Sequence, residues 1–98
     1  MILVRNVFQL KFGKAREAKA LVKEGTEILK KGGPASTRWL TDLTGPFYML
    51  VMESTYENLA ALENSMKDTM SAQEFAAWYQ KFTPLVESGS REIYSIVE

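Results

Sequence analysis

Among its 98 residues the chain has no cysteine and no histidine. That excludes thiol nucleophiles, disulfides, Cys/His zinc sites and histidine general bases together. An excess of charge of one sign is also missing: 12 Lys+Arg stand against 12 Asp+Glu. The chain therefore carries no electrostatic footprint for nucleic acid or an anionic membrane, and neither is expected as a partner. Its longest apolar run, Pro46 to Met52, is strand-length and far short of the ~20 residues that cross a bilayer. Ile2-Leu3-Val4 is halted by Arg5 and Asn6, well before the ~7–15 residues of a signal-peptide core, so a cytoplasmic protein is expected. There is no G-x-G-x-x-G, Walker loop or G-x-S-x-G, and Asp42 and Asp68 are isolated, so no nucleotide motif or metal site is read.

What is present suits a globular core: 46% hydrophobic and 11% aromatic residues. The length fits a single domain over residues 1–98. A domain of this size buries only ~60–65% of its unfolded surface, so self-association would help it.

Hydrophobic periodicity divides the chain into elements. Ile2 to Phe12 reads as a strand, with Ile2, Val4, Asn6, Phe8 and Leu10 on one parity. After Gly13 the period becomes helical from Lys14 to Lys31, with Ala18, Leu21, Val22, Gly25, Ile28 and Leu29 in one stripe. Glu27 and Lys31 form an i,i+4 pair on the solvated side, and Gly32-Gly33-Pro34 closes the helix. Ser36 to Thr44 and Phe47 to Glu53 read as strands joined by a turn at Gly45-Pro46, an antiparallel hairpin. Ser54-Thr55-Tyr56-Glu57 and Ser71-Ala72-Gln73-Glu74 both have the S-x-x-E capping form, so two helical segments are expected with a break near Lys67 to Met70. Pro84 ends the second segment, Ser88-Gly89-Ser90 is a loop, and Arg91 to Val97 is a final strand.

The order is β-α-β-β-α-β, the ferredoxin-like α+β pattern with a four-stranded antiparallel sheet. Helices of that fold cover one face of the sheet, and a bare second face should alternate between apolar and polar residues. Here Phe47 to Met52 is apolar on both parities, and Leu3 and Val7 lie opposite Ile2, Val4 and Phe8. A second copy packed sheet to sheet is the simplest cover, so a homodimer is expected; the bland alternative is a monomer with a greasy sheet.

Asn6 shares its parity with apolar residues and should point into an apolar layer, where a buried amide needs a partner, a water or a ligand. Glu53 closes an apolar strand and has the place of a raised-pKa general base, or else of an ion pair with Arg5, Arg38 or Arg91. Arg38 beside Trp39 suits a clamp for a carboxylate or enolate oxygen, or a charge guarding a sheet edge. The stripe Phe75, Trp78, Tyr79 and Phe82 is core, or else lines an apolar pocket with Tyr48 should the helix bow outward.

Three segments carry a family resemblance. They are Arg5-Asn6-Val7-Phe8-Gln9-Leu10-Lys11-Phe12-Gly13-Lys14, the passage from Met52 to Leu62, and Ser71 to Tyr79 followed by Pro84-Leu85-Val86. Through them the chain resembles the dimeric α+β barrel superfamily, in its NIPSNAP-like and antibiotic-biosynthesis-monooxygenase-like branches. The resemblance implies a homodimer with a pocket between helices and sheet, and it matches Asn6 to the first-strand asparagine of the monooxygenases. Haem-degrading members place an axial histidine on the second helical region, where this chain reads Leu62-Glu63-Asn64-Ser65-Met66 and has none, so no cofactor is expected. The leading functional expectation is a homodimer that binds a small apolar or aromatic molecule. One alternative is a cofactor-independent monooxygenase or isomerase acting on an aromatic or polyketide-like substrate. There Asn6, Glu53 and Arg38 would be catalytic, and Tyr48, Trp78 and Tyr79 would hold the ligand. The other alternative is a structural or interaction dimer without a pocket.

Overall fold

The computed structural model describes residues 1–30 and 33–97. The elements are β1 (Ile2–Leu10), α1 (Ala15–Leu29), β2 (Ser36–Thr41), β3 (Met49–Tyr56), α2 (Leu59–Ser71), α3 (Gln73–Phe82), a 3-10 turn (Thr83–Leu85) and β4 (Val86–Ser95). The strands form one antiparallel sheet in the order β2-β3-β1-β4. This is the ferredoxin-like α+β architecture, with its second helical region split in two. Lys31 and Gly32, which were expected to pair with Glu27 and to close α1, lie outside the described residues.

Among the boundaries that depart from the sequence reading, three have a plain physical reason. Ser54, Thr55 and Tyr56 are strand, not a helix cap, because β3 pairs with β1 as far as Ile2 opposite Tyr56. The cap of α2 falls instead to Asn58, whose side chain accepts from the Ala61 N–H at 2.9 Å. Helix α2 runs unbroken through Lys67 to Met70, and the break comes at Ala72, whose extended backbone ends α2 and starts α3. The Ser71 hydroxyl donates to the Asp68 carbonyl and caps nothing downstream. Ser88-Gly89-Ser90 is strand, not loop, because the three residues pair with Gln9, Phe8 and Val7. A side chain at position 89 would start 3.3 Å from the Phe8 ring, so the glycine lets that ring lie across β4.

All three helices pack on the face formed by Val4, Asn6, Phe8 and Leu10 of β1 and their register partners. The main core gathers Leu10, Ala18, Leu50, Trp78, Phe82 and Leu85; a smaller cluster holds Val4, Tyr56 and Leu62. The shortest principal extent is 19 Å, the thickness of a sheet carrying one layer of ~10 Å helices. The opposite face of the sheet is therefore bare in the single chain.

Candidate functional site

Strand parity decides which side chains meet. On the helix side, Asn6 stands opposite Met52 on β3 and Arg91 on β4. Between this part of the sheet and the helices lies a cavity of about 810 Å3. Asn6 is at its floor, with Ser54 and Tyr56 from β3 and Trp39 from β2. Gly25 and Ile28 of α1, Ser65 and Met66 of α2, and Phe75, Trp78 and Tyr79 of α3 complete the wall.

The wall is built from fixed parts. The Trp78 indole N–H donates to the Leu21 carbonyl at 2.8 Å, and its ring stacks on Phe82 at a centroid distance of 4.8 Å. Its edge lies over Gly25, where a Cβ would come within 2.8 Å of the ring. Trp39 donates to the Thr26 hydroxyl at 3.0 Å, and that hydroxyl donates on to the Val22 carbonyl at 2.8 Å. Phe75 stacks on Tyr79, which is half-exposed at the cavity edge.

Asn6 is 9% exposed, and its Oδ1 accepts from Arg91 Nε at 2.7 Å. A guanidinium can only donate, so the amide oxygen must face it and the amide N–H2 must point the other way. Among the described residues that nitrogen has no hydrogen-bond partner, yet no buried polar side-chain atom there lacks one. It therefore meets the cavity.

The structure separates the other expected site residues from Asn6. Glu53 and Arg38 lie on the opposite, bare face of the sheet, because Glu53 pairs with Arg5 and Arg38 while Asn6 pairs with Met52. Glu53 accepts from Arg5 Nε at 3.1 Å through one oxygen and from Arg38 at 2.7 Å through the other. Arg5 also reaches Glu92 at 2.9 Å. The result is a row of alternating charge, Arg38-Glu53-Arg5-Glu92, across all four strands. It is the ion-pair alternative for Glu53, made with Arg5 and Arg38 and not with Arg91. With both oxygens engaged and the sheet in between, Glu53 is not a general base for the cavity.

Tyr48 also lies outside the cavity wall. It was expected inside a strand, but it has φ 62° and belongs to the turn ahead of β3. Gln9 donates to the Phe47 carbonyl, Leu10 N–H to the Tyr48 carbonyl at 2.9 Å, and Met49 N–H to Asp42 at 2.9 Å, which hold this left-handed residue. Its ring meets Phe12 edge-on. Sequence reasoning missed Arg91 as a cavity residue, treating it only as a partner for Glu53. Its place depends on the β1–β4 register, which nothing local in the sequence announces.

A four-stranded antiparallel sheet with helices on one face defines the class: a ferredoxin-like α+β domain. No family model matches the sequence, and no curated protein matches it. Solved structures do. A NIPSNAP family protein from Agrobacterium tumefaciens superposes with a TM-score of 0.91 at 20% identity, covering 99% of this chain and 93% of that one. An uncharacterized NIPSNAP domain protein from Burkholderia xenovorans gives 0.90 at 16% identity, covering 99% and 95%. A putative antibiotic biosynthesis monooxygenase from Nitrosomonas europaea gives 0.78 at 13% identity, with both chains covered completely. The chain thus has the fold of these proteins, the one the sequence resemblance implied.

Proposed function

We propose that this protein binds a small apolar or aromatic molecule in the cavity between helices and sheet, and does so as a homodimer. The cavity carries the reading. Its volume of about 810 Å3 falls in the ~300–1,000 Å3 range of small-molecule sites, and its apolar walls hold a few polar groups at fixed positions. Asn6 would orient the ligand; Trp78 and Tyr79 would flank it.

The bare sheet face supports the dimer. Leu3, Val7, Met49 and Val51 are half-buried there and Leu40 is 38% exposed, beside the charge row. Leu43, Phe47 and Phe12 extend the exposed apolar surface at the hairpin end. A two-fold copy would cover both.

Titration calorimetry with flat naphthalene-based compounds tests the binding reading. One site per chain is expected, and the absence of binding by every member would contradict it. Light scattering tests the dimer. Twice the 11.1 kDa chain mass is expected, and Val51→Arg should return the single-chain mass with unchanged circular dichroism. A wild-type monomer at micromolar concentration would refute the dimer.

The unbonded Asn6 N–H2 favours a second reading, a cofactor-independent oxygenase. It would hold the oxygen of a substrate able to react with dioxygen unaided, since Glu53 and Arg38 face away. Loss of oxygen consumption with hydroxyaromatics in Asn6→Ala, at intact affinity, would separate catalysis from binding.

A further inference from the structure

We propose that the ligand is a monoanion, an apolar or aromatic carboxylic acid whose carboxylate docks on the guanidinium of Arg91 at the cavity mouth. The inference rests on the cavity being a binding site and adds the chemistry of its occupant. Among the described residues Arg91 is the only charged one lining the cavity; no described Asp, Glu or Lys joins it. On the bare face of the sheet every arginine is neutralised, Arg5 by Glu53 and Glu92 and Arg38 by Glu53. Arg91 has no carboxylate partner among the described residues.

Its contacts fix its plane without satisfying its charge. Nε donates to Asn6 Oδ1 at 2.7 Å, and Nη1 donates to the Met66 thioether at 3.5 Å, a weak acceptor. Of the five guanidinium N–H groups, at least three stay free, enough for a paired contact with the two oxygens of a carboxylate. The Asn6 N–H2, turned away from Arg91, is a further donor on the cavity wall. The site is therefore rich in donors and contains no acid, which selects against cations and for an anion.

One cation matches one negative charge, which favours a carboxylate over a phosphate dianion. Arg91 itself is exposed, while Trp78 and Phe82 deeper in the wall are buried. A ligand would thus enter ring first and leave its head group at the rim between α2 and β4. This orientation lets the acid keep part of its hydration, so that ionisation need not be given up on binding.

The test compares three molecules of one shape by titration calorimetry: 2-naphthoate, 2-naphthamide and 2-naphthylmethylamine. In the wild-type protein the acid should bind about tenfold or more tightly than the amide, with the amine weakest. Arg91→Leu should erase the advantage of the acid while the amide keeps its affinity, and Arg91→Lys should restore part of the advantage. Raising the salt concentration should weaken the acid and spare the amide, a readout that needs no variant. Equal affinity for acid and amide in the wild-type protein, or a preference that survives Arg91→Leu, would overturn the anion claim and leave the cavity reading standing. Failure of all three to bind would overturn both.

Discussion

Gly25→Ala sets two effects of opposite sign against each other at the cavity wall. In an exposed helix interior the change is stabilising by ~1 kcal/mol, because glycine is the poorer helix former. At position 25 the new Cβ would sit 2.8 Å from one carbon of the Trp78 ring and 2.9 Å from another, inside any ordinary contact distance. The ring cannot slide away cheaply. Its N–H is tied to the Leu21 carbonyl at 2.8 Å, and its face is stacked on Phe82, itself 1% exposed. Overpacking of this kind costs ~1–3 kcal/mol. The sum is a net change between about zero and ~2 kcal/mol of destabilisation, which urea unfolding followed by tryptophan fluorescence tells apart from a gain of ~1 kcal/mol. In a Trp78→Leu background the obstructing ring is gone, and Gly25→Ala should change sign and stabilise. An interaction energy of ~1–3 kcal/mol should close the double-mutant cycle. If Gly25→Ala alone stabilises the wild-type protein, the indole is not fixed over α1, and the cavity wall described here is wrong.

Glu53→Ala should lower stability by ~1–2 kcal/mol in urea unfolding, since it strips both arginines of a carboxylate that is 10% exposed. The value stays well below that of a fully buried pair because the Arg5 and Arg38 side chains are 34% and 72% exposed. The same variant should leave 2-naphthoate affinity unchanged, and a large loss would place Glu53 in the ligand site after all. Asn58→Ala should remove the cap of α2 and cost ~0.5–2 kcal/mol. A substitution there without effect on the melting curve would show that the first turn of α2 is held by packing and not by its cap.

The element order was legible because β1 and α1 have clean periods of two and 3.6 along Ile2–Leu10 and Ala15–Leu29. Where sequence reading went astray, a pairing between distant residues overrode a local signal. Ser54 to Tyr56 carry a capping pattern, yet the ladder to β1 keeps them extended. Ser88 to Ser90 look like a loop, yet they have Val7 to Gln9 to pair with. The site follows the same division. The inward parity of Asn6 is a property of β1 alone and could be read locally. That Glu53 stands back to back with it, and that Arg91 stands beside it, are consequences of register between strands. Register is fixed by the whole sheet and by the irregularity at Gln9/Leu10, not by any short segment.

The sheet has two faces, and a ligand held as proposed meets only the one with the cavity. Nitrogen–proton correlation spectra recorded during a 2-naphthoate titration test this directly. Both tryptophans of the chain, Trp39 and Trp78, line the cavity and give indole signals of their own. Binding in the cavity predicts saturable shifts of both indoles and of the Asn6 amide side chain, while the backbone signals of Leu40 on the bare face stay in place. Shifts confined to Leu40, Val51 and Val7, or a spectrum unchanged at millimolar ligand, would contradict it.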